Sequence, residues 1–118
     1  MAKVNFEKIK TIDDLGDIKG KKVLLRLSLN VPVEKGSVVD PFRIEMSIPT
    51  IMELRNKGAK VILLSHIGRD PKETLEPIMR YLQDSLPVVF IRDIFSPNAK
   101  KMIDYAAPGS VVVLENLR

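Results

Sequence analysis

The stretch VLLRLSLNVP, residues 23–32, decides how the rest of the chain is read. It is apolar enough for a buried strand, yet Arg26, Ser28 and Asn30 occupy alternate positions. Side chains two apart along a strand share a face. Val23, Leu25, Leu27 and Leu29 therefore point one way, and Arg26, Ser28 and Asn30 point the other. A guanidinium, a hydroxyl and an amide in a row suit either the wet side of an edge strand or the approach to a polar ligand.

Outward from this stretch, four short apolar runs recur: KVLLRLSL (22–29), KVILLS (60–65), PVVFI (87–91) and SVVVLE (110–115). They are rich in Val, Ile and Leu, and three are nearly continuous, as strands covered on both faces of a parallel sheet are. Helical patterns separate them. The first has Asp40 as cap, Pro41 in the first turn and Gly58 as stop, with Pro49 expected to bend it or reset its start. The second begins at Thr74 with Pro77 in its first turn. The third begins at Ser96 with Pro97 at the first helical position and ends at Pro108–Gly109. This alternation predicts an α/β fold, a three-layer Rossmann-like parallel sheet of about four strands with helices on both faces. The last strand meets the chain end with no covering helix behind it, so the sequence reads as cut short, and pairing through an uncovered sheet edge is expected.

The 118 residues correspond to one domain, carry a net charge of +4 and include no cysteine. No disulfide or thiolate chemistry is available. No apolar run approaches the roughly 18 residues that span a bilayer, and the N-terminal stretch lacks a signal-peptide core. A cytoplasmic protein with no membrane partner is expected. The charge permits anion or nucleic-acid binding. The lysines are scattered, though, with no basic tract or aromatic platform, so nucleic acid is not the expected partner.

Ligands of open α/β sheets bind beyond the carboxyl ends of the strands. The first run delivers Ser28 and Asn30 there, with Arg26 just inside and Arg43 in the first turn of the following helix. The second delivers His66, Gly68 and Arg69, and the fourth delivers Arg118; the third offers Arg92 and Asp93 and looks less committed. Early helix positions favour acids, because free amides there carry partial positive charge. An arginine at that place adds to the amides when an anion is bound, and its planar fork suits carboxylate and phosphate. The rim therefore predicts a small, highly charged anion such as a phosphorylated carboxylate. Each residue also has a plainer reading: arginines paired with Asp40, Asp70 or Glu115, a structural His66, and a Gly68 that only supplies a turn. No dinucleotide or phosphate-loop glycine motif occurs. One histidine and no cysteine give no transition-metal site. Ser28 or Ser65 beside His66 lacks a nucleophile elbow.

These same residues carry a resemblance to the N-terminal domain of phosphoglycerate kinase. GKKVLLRLSLNVPV is similar to that family's G-K-R-V-L-x-R-x-D-x-N-V-P signature. FRIEMSIPTIMELRNKGAKVILLSHIGR resembles its next helix, strand and S-H-x-G-R loop, and TLEPIMRYLQDSL and PGSVVVLENLR follow in order from about Thr11 to Arg118. The resemblance implies a two-domain kinase whose N-terminal domain holds 3-phosphoglycerate or 1,3-bisphosphoglycerate and whose C-terminal domain binds Mg-ATP or Mg-ADP. Residues 1–118 would be part of the first domain, with the nucleotide domain absent, no cofactor on this chain and no turnover by it alone. By position, Asn30 would contact the glycerate, and His66, Arg69 and Arg118 would hold the substrate's phosphate end. Arg43 would be the catalytic arginine, and Arg26 would belong to the basic patch. The family is usually monomeric. Two positions depart from its pattern: Ser28 stands where an aspartate is expected to bind substrate hydroxyls, and Ser96 stands where glycine is common. The first implies weaker or altered substrate selection; the second implies little, since serine caps helices well. A non-catalytic phosphometabolite-binding module and a basic interaction or nucleic-acid-binding domain are the other function classes.

Overall fold

The computed structural model describes Asn5, Glu7 and residues 9–118. A 3-10 turn (Ile12–Leu15) precedes β1 (Lys22–Arg26), a two-stranded hairpin of β2 (Val33–Glu34) and β3 (Ser37–Val38), and α1 (Phe42–Asn56). β4 (Lys60–Leu64), α2 (Glu76–Gln83), β5 (Val88–Ile91), α3 (Pro97–Tyr105) and β6 (Val111–Leu114) follow. The main sheet is parallel, in the order β1-β4-β6-β5.

Alternation along the strands sorts the core into two layers. Val23, Leu25, Val61, Leu63, Val111 and Val113 face α1 and α2, where they meet Ile44, Ile51, Leu54, Ile78 and Leu82. Ile62, Ile91 and Val112 face α3 through Ala99, Met102 and Ile103. Helices thus cover both faces, as the alternation of runs predicts. The covering is unequal. The short α3 lies over the β5 side, and Leu24 of β1 stays 67% exposed on the α3 face.

Several expectations from sequence need correction. The first run forms ladder pairs only over Lys22–Arg26, so Ser28 and Asn30 lie past the strand end, although exposure still alternates through Leu29 and Asn30. Pro49 neither bends α1 into two nor resets it; the helix is unbroken over Phe42–Asn56. Asp40 does not occupy the cap position, which is Pro41, but its Oδ1 accepts the Phe42 amide at 3.0 Å. α2 starts at Glu76 instead of Thr74, because the Thr74 hydroxyl is drawn to the Glu115 carboxylate at 2.7 Å. Ser96 caps α3 as expected, accepting the Ala99 amide. The run at 87–91 is an edge strand with Val89 37% exposed, so its continuous apolar character does not mark burial on both faces. β6, by contrast, is interior, and the sheet's unpaired edges belong to β1 and β5. The β2–β3 hairpin was not foreseen; its turn places Lys35 and Gly36 at positive φ.

The two leucines of the sheet test this covering. Leu63→Ala empties a fully buried site and should lower unfolding free energy by about 2–5 kcal/mol. Leu24→Ala should cost less than about 0.5 kcal/mol. Urea denaturation of both variants checks the contrast, and equal losses would mean that something covers β1.

Candidate functional site

The parallel register sets the height of each strand exit. Arg26 of β1 pairs with Leu64 of β4. The ladder runs on beyond the strands: the Leu27 amide donates to Leu64 O at 3.0 Å, and the Leu117 amide to Ser65 O at 3.1 Å. His66 therefore follows directly between Arg26 on one side and Arg118 on the other. These three line a cleft of about 450 Å³ with Leu64, Ser65 and Leu117.

A second cleft of about 570 Å³ lies in the β1–α1 connection, lined by Asn30, Val31, Pro32, Asp40, Phe42 and Arg43. Arg43 sits in the first turn of α1, and its Nη1 donates to Asn30 O at 3.3 Å. The two clefts are tied together at Asn30. Its Oδ1 accepts the Gly68 amide at 3.2 Å, from the loop that carries His66 and Arg69. That bond orients the carboxamide, and its Nδ2, the donor an anion requires, has no protein partner among the described residues. Ser28, Gly68 and Arg69 line neither cleft; Arg69 and Ser28 are exposed beside them. All eight expected residues thus lie toward the carboxyl end of the sheet, and five of them line the two clefts joined at Asn30.

Gly68 adopts φ +63°, and a Cβ there would fall 1.3 Å from the Glu73 carboxylate. The positive φ calls for glycine, whereas the Glu73 carboxylate ends a flexible side chain that can swing aside. Ser65 is buried, with its Oγ accepting the Leu29 amide at 3.1 Å. It orders the β1 exit and is no nucleophile.

Charge separates the arginines into two sets. Of the seven in the chain, Arg80 and Arg92 both bind Glu76, and Arg55 donates to Gly109 O. Among the described residues, Arg26, Arg43, Arg69 and Arg118 form no ion pair. The carboxylates that could have paired with them are engaged with backbone amides instead. Asp40 accepts from Phe42, Asp70 from Lys72, and Glu115 from Leu75 and Asn116. Desolvated guanidinium groups without partners cost free energy, so these four stay at the exposed surface.

Sequence reading missed the groups that hold the loop in place. Asn116, only 9% exposed, bonds Ile67 and Glu73 of the loop, and Glu115 fixes Thr74 and Leu75 at its far end. The signal was present as two polar residues closing an otherwise apolar run, VVVLEN, but nothing in the spacing said that the amide would turn inward.

With this geometry established, the chain can be compared with known proteins. A family model described as phosphoglycerate kinase matches residues 12–118. This chain belongs to the phosphoglycerate kinase family. A phosphoglycerate kinase of Methylorubrum extorquens (strain PA1) is 46% identical over 116 residues, and that of Zymomonas mobilis subsp. mobilis is 46% identical over 117. Each match covers 92% of this chain and 29% of the relative. Among solved structures, the phosphoglycerate kinase of Pyrococcus horikoshii OT3 superposes with a TM-score of 0.85 at 34% identity, covering 93% of this chain and 28% of that one. That of Coxiella burnetii gives 0.73 at 29% identity, covering 89% and 27%. The chain therefore spans under a third of the length of these phosphoglycerate kinases. The α/β architecture and the family are shown together.

Arg92 reaches the rim from β5, yet its guanidinium is committed to Glu76. Hydrogen bonds from Arg92, and then from Arg80, hold the Glu76 carboxyl below the usual glutamate range. An acid with a depressed folded pKa stabilises above its unfolded pKa and loses that contribution as pH falls through the folded value. Glu76→Gln should therefore remove part of the stability lost on acidification below about pH 4.3. Urea midpoints of both proteins measured from about pH 5 to pH 2 should converge at the acid end.

Proposed function

We propose that this chain is the 3-phosphoglycerate-binding part of a phosphoglycerate kinase. Such a kinase moves a phosphoryl group between 1,3-bisphosphoglycerate and ADP, or from ATP to 3-phosphoglycerate in reverse, in glycolysis. The observation that carries this reading is the set of four arginines without ion-pair partners at one sheet end, while the other three are engaged.

In this reading the phosphate end of the substrate binds His66, Arg69 and Arg118, with Arg26 adding to the field. The Gly68 amide, already donated to Asn30, orders the loop, and the free Nδ2 of Asn30 meets the glycerate. Arg43 is the catalytic group, placed to neutralise charge on the transferring phosphoryl oxygens. Phosphoryl transfer asks chiefly for positioning and charge stabilisation, and a guanidinium in a closing, water-poor cleft provides both. Residues 1–118 are part of the N-terminal substrate domain. Among the described residues, no three His, Asp or Glu side chains gather to hold a metal ion, so no step is assigned to magnesium here. The nucleotide and its magnesium are assigned to the part of a phosphoglycerate kinase that this match, at 29% of the relative's length, does not span. No helix among the described residues is long and apolar enough to cross a membrane, which accords with a glycolytic role in the cytoplasm. The family's monomeric habit is the expected state, and the β1 and β5 edges are where a further strand could pair.

Isothermal titration tests the reading. The chain should bind 3-phosphoglycerate saturably, and more weakly as salt rises. Arg43→Ala and Arg118→Ala should each weaken binding about 10- to 100-fold, the worth of a charge-assisted hydrogen bond. Lys101→Ala, far from the rim, should leave it unchanged. Binding that survives both arginine substitutions would overturn the assignment.

Ser28 also has a measurable consequence. An exposed serine brings no negative charge to the substrate hydroxyls, so Ser28→Asp should tighten 3-phosphoglycerate binding several-fold. Equal affinities of the two proteins would show that this position does not read the hydroxyl groups.

A further inference from the structure

Asn116 is the most completely bonded polar side chain near the site. It follows β6 and is 9% exposed. Its Oδ1 accepts the Ile67 amide at 3.0 Å and the Arg118 amide at 3.1 Å. Its Nδ2 donates to Ile67 O at 3.0 Å and to Glu73 O at 2.9 Å. One carboxamide thus closes a two-way bond with Ile67, anchors the far side of the His66–Glu73 loop, and fixes the backbone that bears Arg118. None of its atoms is turned toward either cleft lining.

We infer that Asn116 is a positioning residue that makes the His66–Arg69 loop and Arg118 a single preset anion clamp. This deepens the proposed function and rests on it. His66 and Arg69 flank the anchored Ile67–Gly68 pair, so their reach is set by where that backbone is held. Arg118 lies two residues beyond the same anchor. Without the carboxamide, the Ile67 amide and two carbonyls lose their partners in a buried place, where backbone groups are rarely left unpaired. The loop must then open to water to satisfy them. A guanidinium and an imidazole displaced by about an ångström no longer converge on one anion, a misplacement that can cost on the order of 100-fold. Asn30 restrains the loop from the β1 side through the Gly68 amide. It cannot replace Asn116, because it touches neither Ile67 nor Arg118.

The test uses two near-isosteric or smaller variants and two readouts. Asn116→Asp keeps an oxygen for the Ile67 and Arg118 amides but sets a second oxygen against the Ile67 and Glu73 carbonyls. Asn116→Ser shortens the reach and removes the donor pair. In titrations of the 118-residue chain with 3-phosphoglycerate, both should bind about 10- to 100-fold more weakly than wild type. Arg118→Ala combined with Asn116→Ser should bind no more weakly than the worse single variant, because both changes break the same clamp. Loss through general unfolding would instead be additive. Amide exchange at Ile67 in the wild-type chain supplies a readout that needs no variant. It should be slow without ligand and slower with 3-phosphoglycerate bound. If wild type binds and the variants bind equally well, or if the double variant is additive, the positioning role is overturned. If wild type does not bind at all, the reading of the site falls, and this inference with it.

Discussion

The parallel pairing of β1, β4 and β6 is the constraint on which the site depends. Because Arg26 lies opposite Leu64 and the Leu117 amide meets Ser65 O, three strand exits are held at one height. A slip of β4 by one residue would turn His66 to the α1 side, away from Arg26 and Arg118. The register is held by the core, since Val61, Leu63, Val111 and Val113 are fully buried. Apolar packing thus decides where the charged groups stand.

Those charges are placed against their own electrostatic preference. Four guanidinium groups gather at one end of the sheet, yet each nearby carboxylate is turned to a backbone amide. Asp40, Asp70 and Glu115 serve as turn and helix-start acceptors, work that does not bring them to the arginines. An acidic side chain used in this way forms no ion pair with the rim arginines, although Asp40 still lines the cleft of Arg43. Elsewhere the pattern reverses. Lys22 with Asp104, Lys57 with Asp13, and both Arg80 and Arg92 with Glu76 form ordinary surface pairs. Such exposed, solvent-screened pairs contribute too little to organise the fold. Their arrangement matters because it shows that this chain pairs arginines readily away from the β1, β4 and β6 exits.

Much of this was legible before the structure. Continuous Val, Ile and Leu runs separated by helical spacing are specific enough to give the sheet, its parallel sense and the helices on both faces. Ser96–Pro97 marked a helix start correctly because a capping hydroxyl and a proline act locally. Errors arose where distant groups intervened. The start of α2 moved because Thr74 is claimed by Glu115, 41 residues away. The 87–91 run looked buried because edge and centre are assigned by strand order, which no local pattern encodes. The hairpin escaped notice because two-residue strands are shorter than any periodicity can report. Arginines and a lone histidine at strand exits are conspicuous in the sequence, and the structure sets them at one end of the sheet. Asn116 is not conspicuous, since a carboxamide can face inward or outward and only its bonding partners decide.

A division by burial emerges between the groups proposed to meet a ligand and the groups that fix the backbone behind them. Arg26, Ser28, Asn30, Arg43, Arg69 and Arg118 are all exposed, while Ser65 and Asn116 are the buried polar residues of the described structure. Both buried groups end their hydrogen bonds on the backbone of the exits, at Leu29, Ile67, Glu73 and Arg118. Exposed ligating groups are cheap to desolvate only when the anion arrives, and they keep rotamer freedom until then. Preset backbone removes part of that ordering cost in advance. The proposed capture of a small multiply charged anion would use both kinds, with the rigid part hidden behind the exposed one.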